Sequence, residues 1–190
     1  MKGFVIGHGR SGTKWVAAAL SLSTDLKTHH ESMRHELGED FGGVEVNGRF
    51  WDKVPTIKQQ FPKAETIHLV RDGRLVVRSV LSRKKFRTLE DACKRWDRRN
   101  RQLIADIEES HRFRLEDLTT DFGCFERMAT LLGATYVNPK NWQQIRSERI
   151  NANQNTYPDP ANWSKAQREI FWSQCGDTMI HCGYGKELGT

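Results

Sequence analysis

The chain has 190 residues, of which 37% are hydrophobic and 28% are charged, and its formal net charge is +6. This composition predicts one globular domain over residues 1–190 and excludes an intrinsically disordered chain. Its apolar runs fall short of the roughly 18 residues that span a membrane, and the four scattered cysteines are typical of reduced thiols. Since the N-terminus also lacks a secretion signal, we expect a cytoplasmic protein without a membrane span.

Short apolar segments alternate with amphipathic segments along the chain. Strands are predicted at residues 3–6, 64–70 and 111–115, with a short extended segment at 27–31. Helices are predicted at residues 13–23, 52–60, 74–85, 88–109, 121–132 and 163–175. We expect residues 38–50 to be irregular, 134–162 to form a long loop, and 163–190 to hold a C-terminal helix and tail.

Strands that are separated by helices predict a three-layer α/β/α fold with a central, mostly parallel sheet. In such sheets, ligands bind beyond the carboxyl ends of the strands. The loops at residues 7–14, 28–31 and 71–79 are therefore expected to converge on one crevice. The basic net charge favours a polyanionic ligand in that crevice.

A glycine-rich turn after the first strand leads into a helix, a layout that holds phosphate on backbone N–H groups. The segment reads Gly7-His8-Gly9-Arg10-Ser11-Gly12-Thr13-Lys14-Trp15. In ATP- and GTP-binding loops of the form G-x-x-x-x-G-K-[ST], a lysine directly follows the second glycine. Here Thr13 takes that place, Lys14 comes one residue late, and Arg10 lies within the turn. Ser11 adds a donor and Trp15 could stack on a base, so the loop favours a phosphate-bearing ligand other than ATP.

A second candidate anion site follows the strand predicted at residues 64–70. Arg71 stands at the end of that strand, and Ser79 lies eight residues later, inside the next helix. The two side chains could clamp one phosphate from two sides, with the guanidinium making a bidentate contact.

Taken together, the two segments resemble the PAPS-dependent sulfotransferases. Residues 10–15 are similar to the family's 5′-phosphosulfate loop, and Arg71 with Ser79 is similar to its 3′-phosphate motif in order and spacing. Residues 114–118 resemble the family's "R-Y-E-D-L" strand end, and residues 182–185 resemble its "L-G-Y" ending. The resemblance implies a P-loop-like sulfotransferase fold. It also implies in-line sulfuryl transfer from 3′-phosphoadenosine 5′-phosphosulfate (PAPS) to a hydroxyl acceptor, with PAP as the product.

The resemblance assigns roles to the residues of both segments. The 5′-phosphosulfate would be held by Arg10, Ser11, Gly12, Thr13 and Lys14. Arg10 would also neutralise the charge that develops on the bridging oxygen. By the same resemblance, Trp15 would contact adenine, while Arg71 and Ser79 would hold the 3′-phosphate.

Neighbouring residues are candidates for the base that a hydroxyl acceptor requires. Family members that use a glutamate after the first helix match Glu31, which we favour, with His30 next. The segment Lys27-Thr28-His29 echoes the histidine segment of the small-molecule enzymes and keeps His29 open. Lys53-Val54-Pro55 resembles the family's "K-x-P" segment, which lies near the acceptor.

Two other function classes stay open. A P-loop nucleotide or small-molecule kinase is the main alternative, although it requires lysine where Thr13 stands. A non-catalytic anion or nucleotide binder is the second. The basic segments at residues 83–87 and 94–101 lack an accompanying nucleic-acid motif, so no nucleic-acid partner is expected. His30-Glu31 and His35 miss the H-E-x-x-H spacing, so no metal is expected either.

Overall fold

The computed structural model describes residues 1–33, 36–83, 88–148, 150 and 156–186. The strands are β1 (Gly3–Gly7), β2 (Thr28–His30), β3 (Val44–Asn47), β4 (Glu65–Val70) and β5 (Arg112–Arg114). They form one sheet in the order β2-β3-β1-β4-β5, and every neighbouring pair is parallel. The carboxyl ends of all five strands therefore meet at one edge of the sheet, with β1 in the centre.

Helices cover both faces of this sheet. They are α1 (Thr13–Ser23), α2 (Val54–Gln60), α3 (Gly73–Leu81), α4 (Leu89–Asp106), α5 (Leu115–Thr120), α6 (Phe122–Leu131), α7 (Pro139–Ile145) and α8 (Lys165–His181). Parallel neighbouring strands require a long crossover, since a tight turn cannot connect them, and α3 and α4 lie in the crossover between β4 and β5.

The central strand β1 is buried on both faces, and its side chains alternate between two cores. Val5 belongs to a cluster with Leu20 of α1 and Phe125 of α6. On the opposite face, Phe4 belongs to a cluster with Leu103 of α4. A strand that is covered on both faces has an uninterrupted apolar sequence, as β1 does. The predicted three-layer α/β/α architecture is thus confirmed, and all five strands of its sheet are parallel.

Strand β3 lies where the sequence predicted an irregular segment over residues 38–50. Its burial is complete, although it contains Glu45 and Asn47. The Glu45 carboxylate accepts hydrogen bonds from Asn47 Nδ2 at 3.0 Å and from Ser32 Oγ at 2.6 Å. These tertiary partners make a buried carboxylate tolerable, and a hydrophobicity pattern does not reveal them.

The segment over residues 134–162 is not the long loop that the sequence predicted. It contains α7, whose Trp142 is buried and donates from Nε1 to the Leu118 carbonyl at 3.1 Å. The C-terminal helix also extends further than predicted, through His181. Helix α3 ends at Leu81, and the rest of the predicted helix includes residues 84 and 85, which lie outside the described ranges.

Candidate functional site

The loop between β1 and α1, residues 8–12, lies at the carboxyl edge of the sheet and has the backbone geometry of an anion-binding turn. Arg10 has a φ of 85° and Gly12 has a φ of 92°, both in the left-handed region. The N–H of Ser11 donates to the His8 carbonyl at 2.9 Å and closes the turn. Successive N–H groups in such turns point into one concavity, and the first N–H groups of α1 add to it because they lack intrahelical partners.

The two sequence segments that were matched to phosphate sites meet at Arg10. Its Nε donates to Ser79 Oγ on α3 at 2.9 Å. Arg71 Nη1, at the end of β4, donates to the Arg10 carbonyl at 3.2 Å. Residues that are 61 and 69 positions apart in sequence from Arg10 thus contact one loop. The expected convergence of the 7–14 and 71–79 loops is present.

A hydrogen-bond network next to Arg71 joins residues 114–118 and residues 182–185, the two further segments that resemble the sulfotransferases in sequence. The Glu116 carboxylate accepts from the backbone N–H of Asp72 at 3.2 Å and from the Tyr184 hydroxyl at 2.7 Å. Arg114 donates to both oxygens of Asp117 at 2.7 Å and, from Nη1, to the Gly183 carbonyl at 2.8 Å. Because Glu116 accepts the N–H of Asp72, this network holds the β4–α3 turn and thereby positions Arg71.

The candidate bases lie at the end of β2, the strand at the sheet edge: His29 and His30 belong to the strand and Glu31 directly follows it. His30 Nε2 lies 3.1 Å from Thr13 Oγ1, so the first turn of α1 contacts this segment directly. Burial lowers the pKa of His30 from its ordinary value. Glu31 has a φ of 50°, and its N–H donates to the Val46 carbonyl of β3 at 3.0 Å. Its carboxylate accepts from Arg49 Nε at 3.2 Å.

Buried Glu45 is a positioning residue that sequence analysis missed. Besides its bonds to Ser32 and Asn47, its carboxylate accepts from the Met33 N–H at 3.4 Å. It therefore ties the segment after Glu31 to β3. The only signal in the sequence is an acidic residue between two valines.

A cleft of about 830 Å³ opens between the segment of His30 and Glu31, the β1–α1 loop, and helices α3 and α4. His30, Glu31, Arg10, Thr13 and Lys14 all line it. Five further cationic side chains line it as well: Arg49, Lys53, Arg83, Arg95 and Arg99. Among the described lining residues, the acidic side chains are Glu31 and Asp52. The cleft is thus strongly cationic and contains the favoured carboxylate.

His8 is a buried, neutral histidine in the wall of this cleft. Its Nδ1 donates to the Gly9 carbonyl at 2.6 Å, while Nε2 has no hydrogen-bond partner among the described residues. Burial, and then the nearby charge of Arg99, lower the pKa of His8 to about 3. The pKa of Arg99 is itself lowered to about 10 by burial and by Arg95 and Arg98. His8 lies in the glycine-rich segment and Arg99 in the basic segment 94–101 of the sequence analysis, but neither residue was assigned a role there.

Trp15 packs within the core. It does not line the cleft and is 6% exposed, within the core between α1 and α6. Its Nε1 donates to the Ile145 carbonyl of α7 at 3.0 Å, and its ring meets Phe125 edge-on at 6.3 Å between centroids. This placement turns the Trp15 ring toward the core, and the adenine contact expected for Trp15 stays a prediction.

The remaining loop residues bring charge and hydroxyl groups that can hold an anion. Arg10 and Lys14 supply charge, and Thr13 supplies a hydroxyl at the start of α1. Ser11 Oγ is buried without a hydrogen-bond partner among the described residues, which leaves its hydroxyl available inside the turn. Arg71 and Ser79 bring a further cation and a further hydroxyl to the same loop.

Three further segments were singled out in the sequence: the basic residues 83–87, the basic residues 94–101 and the near miss to a metal-binding motif. Within residues 83–87, Arg83 alone is described, and in residues 94–101 Lys94 pairs outside the cleft with Glu90 at 2.7 Å. His35, the last residue of the near-miss metal motif, lies outside the described ranges. The described residues contain no cluster of three or more histidine, cysteine or acidic side chains suited to a metal ion. Across the same ranges, every helix is too short or too polar to span a bilayer.

Comparison with known proteins rests on solved structures, since no protein-family model matches the sequence and no curated protein matches it significantly. Mouse sulfotransferase SULT7A1, complexed with PAP, aligns with a TM-score of 0.64 at 12% identity, over 96% of this chain and 88% of that one. The sulfotransferase domain from the curacin biosynthetic pathway aligns at 0.55 and 14% identity, over 98% of both chains. A sulfotransferase from Alicyclobacillus acidocaldarius aligns at 0.56 and 10% identity, over 97% of this chain and 96% of that one. The chain therefore has the fold of the sulfotransferases.

Proposed function

We propose that this protein is a PAPS-dependent sulfotransferase that transfers a sulfuryl group to a hydroxyl acceptor. One observation carries the proposal: Arg71 and Ser79 both contact Arg10 of the β1–α1 loop, beside a cleft that also contains Glu31. Two candidate anion-binding segments that meet at Arg10 suit a donor with anionic groups at both ends. The fold shared with three sulfotransferases, one of them complexed with PAP, supports the same activity.

The donor supplies an activated sulfuryl group with the 5′-phosphate of PAP as the leaving group. Arg10 and Lys14, with the N–H groups at the start of α1, hold the phosphosulfate and neutralise the charge that develops as the S–O bond breaks. Ser11, Gly12 and Thr13 complete the turn that surrounds it. Arg71 and Ser79 hold the 3′-phosphate.

Glu31 removes the proton of the acceptor hydroxyl as the hydroxyl oxygen attacks sulfur. Arg49 holds the Glu31 carboxylate at the cleft wall through a 3.2 Å hydrogen bond. His30 is the second candidate base, but its Nε2 contacts Thr13, so we assign it to orienting the loop. Since Glu31 and the loop border the same cleft, we propose an in-line displacement without a covalent intermediate on the protein.

Ligand titration followed by thermal unfolding tests the donor assignment. We expect PAP to stabilise the protein, by about 2.7 kcal/mol at a hundredfold excess over Kd, and ATP–Mg²⁺ and GTP–Mg²⁺ to stabilise it far less. Arg71→Ala should raise the Kd for PAP roughly tenfold to a hundredfold, the effect of losing a charge-assisted hydrogen bond. Arg101→Ala removes the same charge from an exposed surface pair and is the control. Stabilisation by ATP–Mg²⁺ without stabilisation by PAP would contradict the proposal in favour of a kinase.

Turnover tests the base. We expect Glu31→Gln to leave the Kd for PAP unchanged and to slow PAP release from PAPS about a hundredfold or more, measured against a panel of phenol, sugar and peptide hydroxyls. Glu39→Gln, on an exposed part of the same connection, is the matched control. If His30→Gln stops turnover while Glu31→Gln does not, the base is His30. Binding of PAP without turnover on any acceptor, in wild type as in Glu31→Gln, would favour a non-catalytic binder.

A further inference from the structure

We infer that the turn Asn47-Gly48-Arg49 at the end of β3 is a positioning element, which sets the distance between the base and the donor. Asn47 holds Arg49, Arg49 holds the carboxylate of Glu31, and Gly48 adjoins both Glu31 and the β1–α1 loop. The inference rests on the proposed function, because it concerns the base and the donor loop that are assigned there.

Gly48 leaves a space between the base and the donor loop that is tight for a side chain. A Cβ atom on Gly48 would lie 3.3 Å from Gly9 Cα and 3.4 Å from Gly9 N, both in the β1–α1 loop. The same atom would lie 3.5 Å from Glu31 Oε1. Gly48 is buried and its φ lies outside the left-handed region, so close approach rather than conformation favours glycine here. Gly9 and the Glu31 carboxylate thus flank one small space beside the turn.

Asn47 fixes the turn through both ends of its amide. Its Nδ2 donates to Glu45 Oε1 at 3.0 Å, and its Oδ1 accepts from the Arg49 N–H at 2.9 Å. Because the two bonds use opposite ends of the amide, they fix its orientation. From the backbone position that Asn47 holds, Arg49 donates from Nε to Glu31 at 3.2 Å. The side chain of Asn47 is fully buried, so these bonds form away from competing water.

Glu31 has a strained backbone conformation that β3 imposes. Its φ of 50° lies in the left-handed region, where a residue with a Cβ is strained. The Glu31 N–H donates to the Val46 carbonyl at 3.0 Å, and the next residue, Ser32, donates from Oγ to Glu45 at 2.6 Å. Such strain persists only where the surroundings over-determine it. β3 and its turn therefore hold the base both at its backbone and at its carboxylate, which is what a pre-organised catalytic group requires.

Gly48→Ala tests the spacing directly, because it adds one methyl group beside the base and the loop. PAP release from PAPS is followed with phenol, glucose, N-acetyltyrosine amide and water as acceptors, and the Kd for PAP is measured by calorimetry. We expect transfer to slow about tenfold to a hundredfold, as a misplacement of about 1 Å does, while the Kd for PAP stays unchanged. Gly176→Ala is the matched control and should change neither, since its Cβ would lie 3.3 Å from Trp172 on α8, away from the cleft.

A double-mutant cycle shows whether the turn acts through the base. Asn47→Ala should slow transfer about tenfold without changing the Kd for PAP. In the Glu31→Gln background the base is already lost, so neither Asn47→Ala nor Gly48→Ala should slow transfer further. Urea unfolding checks that Asn47→Ala is folded. If it is not, Ser32→Ala takes its place in the cycle, because it removes the 2.6 Å bond to Glu45 from an exposed residue.

The outcomes separate this inference from the function on which it rests. If wild type does not bind PAP, releases no PAP from PAPS with any of these acceptors, or transfers no faster than Glu31→Gln, the proposed function or its base assignment fails and the inference fails with it. If wild type meets all three conditions and Gly48→Ala transfers as fast as wild type, the inference alone is overturned. Equal slowing with and without Glu31, or a loss of PAP affinity as large as the loss of transfer, would also overturn it.

Discussion

Two buried histidines make the stability of this protein depend on pH in a way that can be calculated. His68 on β4 is fully buried, and its Nε2 donates to Asn100 Oδ1 at 3.0 Å. Asn100 donates in turn from Nδ2 to the Trp96 carbonyl at 2.8 Å, which fixes the orientation of its amide. Burial lowers the pKa of His68 to about 4, and burial with Arg99 lowers that of His8 to about 3. Both rings are therefore neutral in the folded protein at pH 5.

The sign follows from proton binding. An unfolded histidine has a pKa near 6.5, so between pH 6.5 and about 4 the unfolded chain binds more protons than the folded chain. The stabilisation from neutral His8 and His68 is complete above pH 6.5 and is lost as the pH falls. Between pH 8 and pH 5, each histidine lowers the free energy of unfolding by about 2 kcal/mol, and the two together lower it by about 4 kcal/mol. The cost at pH 5 depends little on the folded pKa, provided that this lies at or below about 4.

Urea unfolding at pH 8 and pH 5 measures this loss. His68→Gln keeps an amide N–H near the position of Nε2 and removes the titration, so its stability should fall by about 2 kcal/mol less than that of wild type between the two pH values. His8→Asn should behave in the same way. His181→Gln, on an exposed ring, is the control and should follow wild type. If His68→Gln and wild type lose the same stability, His68 is not held neutral in the folded state and the reasoning fails.

Two further predictions concern α1 and its loop. Trp15→Phe should cost roughly 1–3 kcal/mol of stability, because the Ile145 carbonyl loses its buried donor. We expect the Kd for PAP, measured by calorimetry, to stay unchanged, and a clear loss of PAP affinity would instead support an adenine contact. Gly12→Ala should cost about 1–3 kcal/mol in urea unfolding, because φ is 92° and the added Cβ would lie 2.6 Å from Leu115 Cδ1. Gly9→Ala is the matched control, since its Cβ meets open space, and an equal cost at both positions would argue against strain at Gly12.

Residue spacing in the sequence predicted which two segments would meet at the candidate site. The segment of Arg71 and Ser79 could be matched with the loop around Arg10 from sequence. Each of the two segments follows a predicted strand, and parallel strands bring such segments to one edge of the sheet. The contacts of Arg10 with Ser79 and with Arg71 agree with that expectation. Which of these residues binds which group stays a prediction.

Other features depended on partners that no local pattern contains. β3 was missed because Glu45 is acidic, and its burial is compensated by Ser32 and Asn47. The α7 helix was missed because its seven residues give a weak periodic signal, although Trp142 anchors it on α5 through the Leu118 carbonyl.

Patterns along the chain were enough to predict the alternation of strands and helices and to single out two candidate anion-binding segments, because periodicity and turn chemistry are local properties of the chain. The packing of distant segments, in contrast, places Trp15 toward the core and brings Arg83, Arg95 and Arg99 to one cleft with Glu31. Whether a side chain is buried, and which charges it meets, is set by surfaces that distant segments contribute. An aromatic residue beside a phosphate-binding turn has the same sequence signature whether it faces a ligand or a neighbouring helix.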